Sequence, residues 1–224
     1  MMGKEVQAKS PTPRFVAFAS GSGSNFESIM NAIERGELHA TCVGLIASRP
    51  HIGAIDKALA RDIPVHILSQ EDSRHSDLLT SDLPTSTDEE LINVVESMRP
   101  HFGVLAGYLK KLPATLLDIL SGPVFNIHPS LLPKFGGKGF YGLRVHKAVL
   151  EAGETESGCT VHLVTDQYDE GPILAQARLS IPAKCTPEEL AEAVLTLEHS
   201  LYPITIQTTL EDYGTLQPTF ATTH

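Results

Sequence analysis

Arg14-Phe15-Val16-Ala17-Phe18-Ala19 runs into Ser20-Gly21-Ser22-Gly23-Ser24-Asn25, and Phe26, Ile29, Met30 and Ile33 follow. This stretch decides the fold. The first six residues form a short apolar run that suits a buried strand. The last four stand at i, i+3, i+4 and i+7, one face of a helix that stops near Gly36. Strand, small-residue loop and helix make the opening unit of a parallel α/β sheet. The pattern then repeats. Thr41–Ala47 is a second apolar strand, residues 51–61 read as a helix, and residues 65–68 as a short strand. Thr87-Asp88-Glu89-Glu90 is a capping box with Thr87 as N-cap, and Leu91, Val94, Val95 and Met98 carry its apolar face. Pro100 ends that helix. Residues 102–106 read as a strand, 113–120 as a short helix and Val124–His128 as the next strand. The expected class is α/β, a Rossmann-like and mostly parallel sheet flanked by helices.

After Ser157 the pattern changes. Residues 160–165 and 173–181 read as two strands joined by a tight polar loop, an antiparallel addition towards the C-terminus. Thr186-Pro187-Glu188-Glu189 is a second capping box, with proline at the favoured first helical position. Its helix is expected to reach about Tyr202, and the polar residues from about Thr208 read as a tail. The expected division is an N-terminal extension over 1–12, one domain over 13–207 and a C-terminal tail over 208–224.

The bulk properties exclude several function classes. The chain has 224 residues, 42% of them hydrophobic and 20% charged, with a mean hydropathy of -0.02. No apolar run reaches the roughly 18–20 residues of a membrane span, and the polar start lacks the apolar core of a signal peptide. A cytoplasmic protein is expected. Net charge is -10, from 27 acidic and 17 basic residues, which disfavours a nucleic-acid surface. Cys42, Cys159 and Cys185 match no zinc spacing, and the first two read as core thiols. The expected partners are small-molecule substrates, with no nucleic acid and no membrane; monomer and homodimer both stay open.

Two stretches carry chemistry. The small residues Ser20–Asn25 let a backbone approach a ligand, and the helix that follows points unpaired N–H groups at it, which suits a phosphate. A dinucleotide fingerprint needs a small residue where Phe26 stands, so a monophosphate fits better than a pyrophosphate and a nicotinamide-dependent dehydrogenase is disfavoured. At the end of the 124–128 strand, Asn126 and His128 are two residues apart and project to one side. Asn126 offers an N–H that suits a developing oxyanion, and His128 can give or take a proton near neutral pH. Pro129 and Pro133 stiffen the exit. The pair suits acyl transfer.

Further runs surround these two. Asn126-Ile127-His128-Pro129-Ser130-Leu131-Leu132-Pro133, Gly158 to Val164 with Asp166-x-x-Asp169-x-Gly171-Pro172, and Leu197-Glu198-His199 with Tyr202-Pro203 join the loop Gly21–Asn25. Together, from about Arg14 to Ile206, they resemble the glycinamide ribonucleotide formyltransferase family. The resemblance implies transfer of a formyl group from 10-formyltetrahydrofolate to the amine of glycinamide ribonucleotide, a step of de novo purine (IMP) synthesis, with no metal. It implies that Asn126 stabilises the oxyanion and that His128 acts protonated beside Asp169, which raises its pKa. It places the nucleotide against Gly23, Ser24, Asn25 and Glu198, and the folate against Arg74, Leu109, Lys110, Lys111, Leu112 and Asn126. His162 reads as a packed strand residue. Two departures stand out. Lys110 occupies a position where the family often has arginine, which loses a planar fork. The glycine-rich loop 135–142 is longer than in compact members and is expected to act as a lid. A formyltransferase for another amine, a formyl-folate hydrolase and a folate- or nucleotide-binding protein remain the competing readings.

Overall fold

The computed structural model describes residues 12–68 and 86–216. Among these residues seven strands form one sheet in the order β3-β2-β1-β4-β5-β6-β7. They are β1 (Arg14–Ala19), β2 (Thr41–Ala47), β3 (Val65–Ile67), β4 (Phe102–Leu105), β5 (Val124–His128), β6 (Glu156–Leu163) and β7 (Ile173–Ser180). The first five pair in parallel; β5 with β6 and β6 with β7 pair antiparallel. The expected class and its antiparallel addition are both found.

Among the described residues six helices cover the sheet: α1 (Ser24–Glu34), α2 (Gly53–Leu59), α3 (Ser86–Met98), α4 (Ala114–Ile119), α5 (Leu143–Glu151) and α6 (Pro187–Leu216). Alternation along β1 explains the two layers. Phe15, Ala17 and Ala19 face a core shared with α1, α2, α5 and α6, while Val16 and Phe18 face a second core with α3 and α4. A strand buried on both faces reads as a continuous apolar run, as β1 does. Phe102 bridges neighbours, stacking on Phe15 with centroids 5.3 Å apart and meeting Phe125 edge-on at 5.8 Å.

Strand order reverses at β1, with β2 on one side and β4 on the other. Loops leaving the carboxyl ends of β1 and β4 therefore diverge and open a crevice. The glycine loop, the segment after β4 and the end of β5 all lie along that edge.

Several elements differ from expectation. Strand β6 runs Glu156–Leu163, starting four residues before the expected 160–165. Helix α5 follows the glycine-rich loop unannounced, because Val145 and Val149 are its main core residues and two apolar positions make a weak pattern. Helix α6 continues through Pro203 to Leu216, past the stop expected near Tyr202. Proline costs one helix hydrogen bond, but fully buried Tyr202 and Ile206 hold the segment on both sides. The Tyr202 hydroxyl also donates to the carbonyls of Leu105 and Phe125 at 2.9 and 3.0 Å, pinning α6 to β4 and β5. Helix α3 starts at Ser86, one residue before the expected cap, and the Thr87 side chain lies outside the described residues. The second capping box is present: Thr186 N–H donates to Glu189 Oε2 at 2.8 Å and Glu189 N–H to Thr186 Oγ1 at 3.2 Å.

Candidate active site

The glycine loop ends at Gly23, the N-cap of α1, with φ +75°. A Cβ there would stand 2.6 Å from Ala54 Cα, so glycine serves both the left-handed turn and the packing against α2. The first N–H groups of α1 have no partner within the helix and face the loop. Asn25, in the first turn, is buried; its Nδ2 donates to Glu198 Oε2 at 2.6 Å, while its buried Oδ1 has no partner. Glu198 on α6 is 6% exposed. Burial pushes its carboxyl up to about 7, against the pull of the Asn25 donor. The loop, Asn25 and Glu198 thus come together, with one orphaned acceptor and a carboxyl poised near neutrality.

Asn126 and His128 leave the same side of β5. The β5–β6 register sets Asn126 opposite His162 and His128 opposite Thr160. Asn126 Nδ2 lies 3.0 Å from His162 Nε2, and His162 Nδ1 lies 2.9 Å from the Leu163 carbonyl. A neutral imidazole protonated on Nδ1 satisfies both contacts: Nδ1–H donates to Leu163, and Nε2 accepts from the amide. That leaves the second Asn126 N–H to point elsewhere. His162 Nε2 also lies 3.5 Å from Asp169 Oδ1, a longer approach than to Asn126. His162 is packed as expected, 2% exposed, and its ring also meets the Asn126 amide. It orients the amide, and only the strand register reveals this.

His128 is 4% exposed. Its Nε2 sits 2.8 Å from the Phe135 carbonyl and its Nδ1 3.4 Å from Asp169 Oδ2. Nε2 therefore carries a proton, and the Asp169 contact becomes attractive when Nδ1 takes up a second one. Burial lowers the His128 pKa, and this outweighs the upward pull of Asp169 and of the Phe135 carbonyl. Asp169 pulls the His128 pKa upward, as expected, and desolvation outweighs that pull. For Asp169, burial acts upward, yet its neighbours, the His128 ring and the Gly137 amide among them, hold the carboxyl below its ordinary value. Asp169 has φ +56°, unusual for a residue with a side chain and a local strain that its partners hold in place.

The glycine-rich loop supplies two of these partners. Phe135 gives its carbonyl to His128, and Gly137 N–H donates to Asp169 Oδ2 at 2.9 Å. Gly137 has φ +91°, which a side chain would strain. The loop is thus joined to the reactive groups. A cavity of about 370 Å³ opens beside it, lined by Asp169, Gly136, Gly137, Pro133, Tyr168 and Ile173 among others.

After β4, Leu109, Lys110 and Lys111 are exposed along the crevice edge. Leu112 is buried in the core with Leu116, so only its backbone can meet a ligand there. Arg74 lies outside the described residues. Among the described residues no group of three or more His, Cys, Asp or Glu is placed to hold a metal ion, and no helix is long and apolar enough to cross a membrane.

A donor amide, a buried imidazole and a carboxylate thus converge at the sheet edge that also carries the glycine loop. A family model described as formyl transferase matches residues 13–206. The chain belongs to the formyl transferase family. It is 41% identical over 201 residues to the chloroplastic phosphoribosylglycinamide formyltransferase of Arabidopsis thaliana, covering 88% of this chain and 66% of that one. It thus spans just under two thirds of that plant relative's length. To the phosphoribosylglycinamide formyltransferase of Escherichia coli (strain K12) it is 33% identical over 193 residues, covering 85% and 84% of the two chains. The crystal structure of glycinamide ribonucleotide transformylase 1 from Symbiobacterium toebii superposes with a TM-score of 0.79 at 28% identity, over 95% of this chain and 94% of that one. In this formyl transferase, Asn126, His128 and Asp169 come together, as do Gly23, Asn25 and Glu198. Sequence reasoning missed His162, the Phe135 carbonyl and the Gly137 amide. The signal for His162 was its place in a strand paired with β5; the two backbone groups left none.

Proposed function

We propose that this formyl transferase moves the formyl group of 10-formyltetrahydrofolate to the amine of glycinamide ribonucleotide, a step of de novo purine (IMP) synthesis. The observation that carries the reading is the convergence of Asn126, His128, His162 and Asp169 at one edge of the sheet that also bears the glycine loop and Glu198. The first group suits acyl transfer to an amine. The second suits a ribonucleotide phosphate and its hydroxyls.

The amine nitrogen attacks the formyl carbon, and a new C–N bond forms as the carbonyl oxygen gains charge. Asn126 donates its free Nδ2–H to that oxygen, with the amide held by His162. Such a preoriented donor, removed elsewhere, costs on the order of 10²–10³ in rate. His128 accepts the proton the amine loses at Nδ1, where Asp169 stabilises the resulting charge, and returns it to the folate nitrogen as the old C–N bond breaks. A His128 that is mostly neutral at rest suits this, since it must first accept. Gly23, Ser24 and Asn25 hold the phosphate end, and Glu198 accepts ribose or glycinamide hydrogens. Leu109, Lys110, Lys111, the Leu112 backbone and Arg74 serve the folate. A cytoplasmic location and a monomer or homodimer complete the proposal.

The test is a spectroscopic assay with 10-formyltetrahydrofolate, with and without glycinamide ribonucleotide. Wild type and Asp169→Asn are compared across pH. Turnover that requires the ribonucleotide and collapses in the variant supports the reading. Loss of formyl-folate without acceptor identifies a hydrolase instead.

A further inference from the structure

Ser20 and Ser48 are buried hydroxyls at the carboxyl ends of β1 and β2, 3% and 6% exposed. Neither side chain has a part in the chemistry above. Ser48 Oγ donates to Ser20 Oγ at 2.8 Å, and Ser20 Oγ accepts the Leu109 N–H at 3.0 Å. Backbone bonds frame this chain: Ser48 N–H reaches the Ala19 carbonyl at 3.0 Å, and Ser20 N–H the Gly107 carbonyl at 3.1 Å. The side chains thus tie β2 to β1 to the segment after β4, beyond the last strand pairing of each. Ser20 opens the glycine loop. Leu109 opens the exposed stretch on the other side of the crevice, just after the turn at Gly107, φ +71°.

We propose that the Ser48–Ser20 hydroxyl pair is a positioning device: it holds the Leu109 backbone in fixed relation to the nucleotide loop and thereby sets folate affinity. This rests on the reading of Leu109–Leu112 as the folate side. Ser20 fixes the Leu109 N–H, and Ser48 fixes the rotamer of Ser20. Alanine at position 20 leaves that N–H without its acceptor and frees the segment to drift. Alanine at position 48 leaves the acceptor but frees its rotamer, a milder loss. Because both act through one bond to Leu109, their effects do not add.

The experiment uses the whole chain with Ser20→Ala, Ser48→Ala and the double variant. The expected result for Ser20→Ala is a rise of about tenfold in the KM for 10-formyltetrahydrofolate and in the Kd of tetrahydrofolate. The ribonucleotide KM and the kcat at saturating folate stay within about twofold. Ser48→Ala raises the folate constants about threefold, and the double variant is no worse than Ser20→Ala. Should Ser20→Ala fail to fold, the Ser48→Ala shift in folate alone still decides. A parallel rise in both substrates' KM, additive effects, or unchanged folate constants would overturn the proposal. Hydrogen exchange of residues 107–112 in the wild type, with and without tetrahydrofolate, separates the two levels. No protection there overturns the folate reading and the proposal with it. Protection with unchanged folate constants in both serine variants overturns the proposal alone.

Discussion

Asn25 Nδ2 donates to Glu198 Oε2 at 2.6 Å, joining the first turn of α1 to α6 across 173 residues of chain. The bond holds a buried carboxyl whose pKa lies at about 7 instead of its ordinary 4.5. A raised folded pKa means that the protonated form is favoured by folding. Its contribution is complete below about pH 4.5 and is lost as pH rises through 7. Glu198→Gln cannot ionise and keeps an acceptor for Asn25. Relative to wild type it should gain up to about 3 kcal/mol of stability at pH 8, a gain that closes below pH 5. Urea unfolding across pH measures it. A difference that does not vary with pH would show that Glu198 does not titrate in this way. The same variant should raise the KM for the ribonucleotide.

Asp169→Asn removes the charge facing His128 Nδ1 and should lower kcat by roughly 10²–10³-fold. Asp169 pulls the His128 pKa upward, so its loss lowers that pKa further. A limb of the pH–kcat/KM profile that reports His128 should therefore move to lower pH in the variant. A limb that stays in place would remove His128 from the role of titrating group.

His162→Phe keeps a ring of similar shape but offers the Asn126 amide no acceptor. With the donor left to wander, kcat should fall by about tenfold while both KM values stay within twofold, a smaller loss than deleting an oxyanion donor outright. A fall confined to KM would mean that His162 shapes a binding surface and not the amide.

His146 on α5 is 4% exposed and its Nδ1 has no partner. Burial, then the nearby His128, lower its pKa to about 4. A lowered histidine pKa gives stability that is complete above 6.5 and is lost as pH falls towards 4. At pH 5 the cost should be about 2 kcal/mol. His146→Leu should flatten the stability curve between pH 6.5 and 4. An equally steep curve in the variant would assign the acid loss to other groups.

Much of this molecule was legible in local pattern. The limits of β1, β2 and β5 coincide with the apolar runs read from sequence, because strands buried on both faces leave no polar alternation to blur their ends. Thr186 and Glu189 close the capping box that their spacing announces. Asn126 and His128 share a side because strand side chains alternate. What tertiary structure alone decided involves distance along the chain or depth in the fold. The register of β5 on β6 put His162 opposite Asn126. The buried anchors Tyr202 and Ile206 carried α6 through Pro203. The packing of α1 on α6 joined Asn25 to Glu198. Desolvation, not the neighbouring charge of Asp169, set the sign of the His128 shift. Periods of two and 3.6 residues are written in a sequence because they act between near neighbours. Burial is a sum over groups brought from everywhere in the chain, and it exists only once the chain has folded.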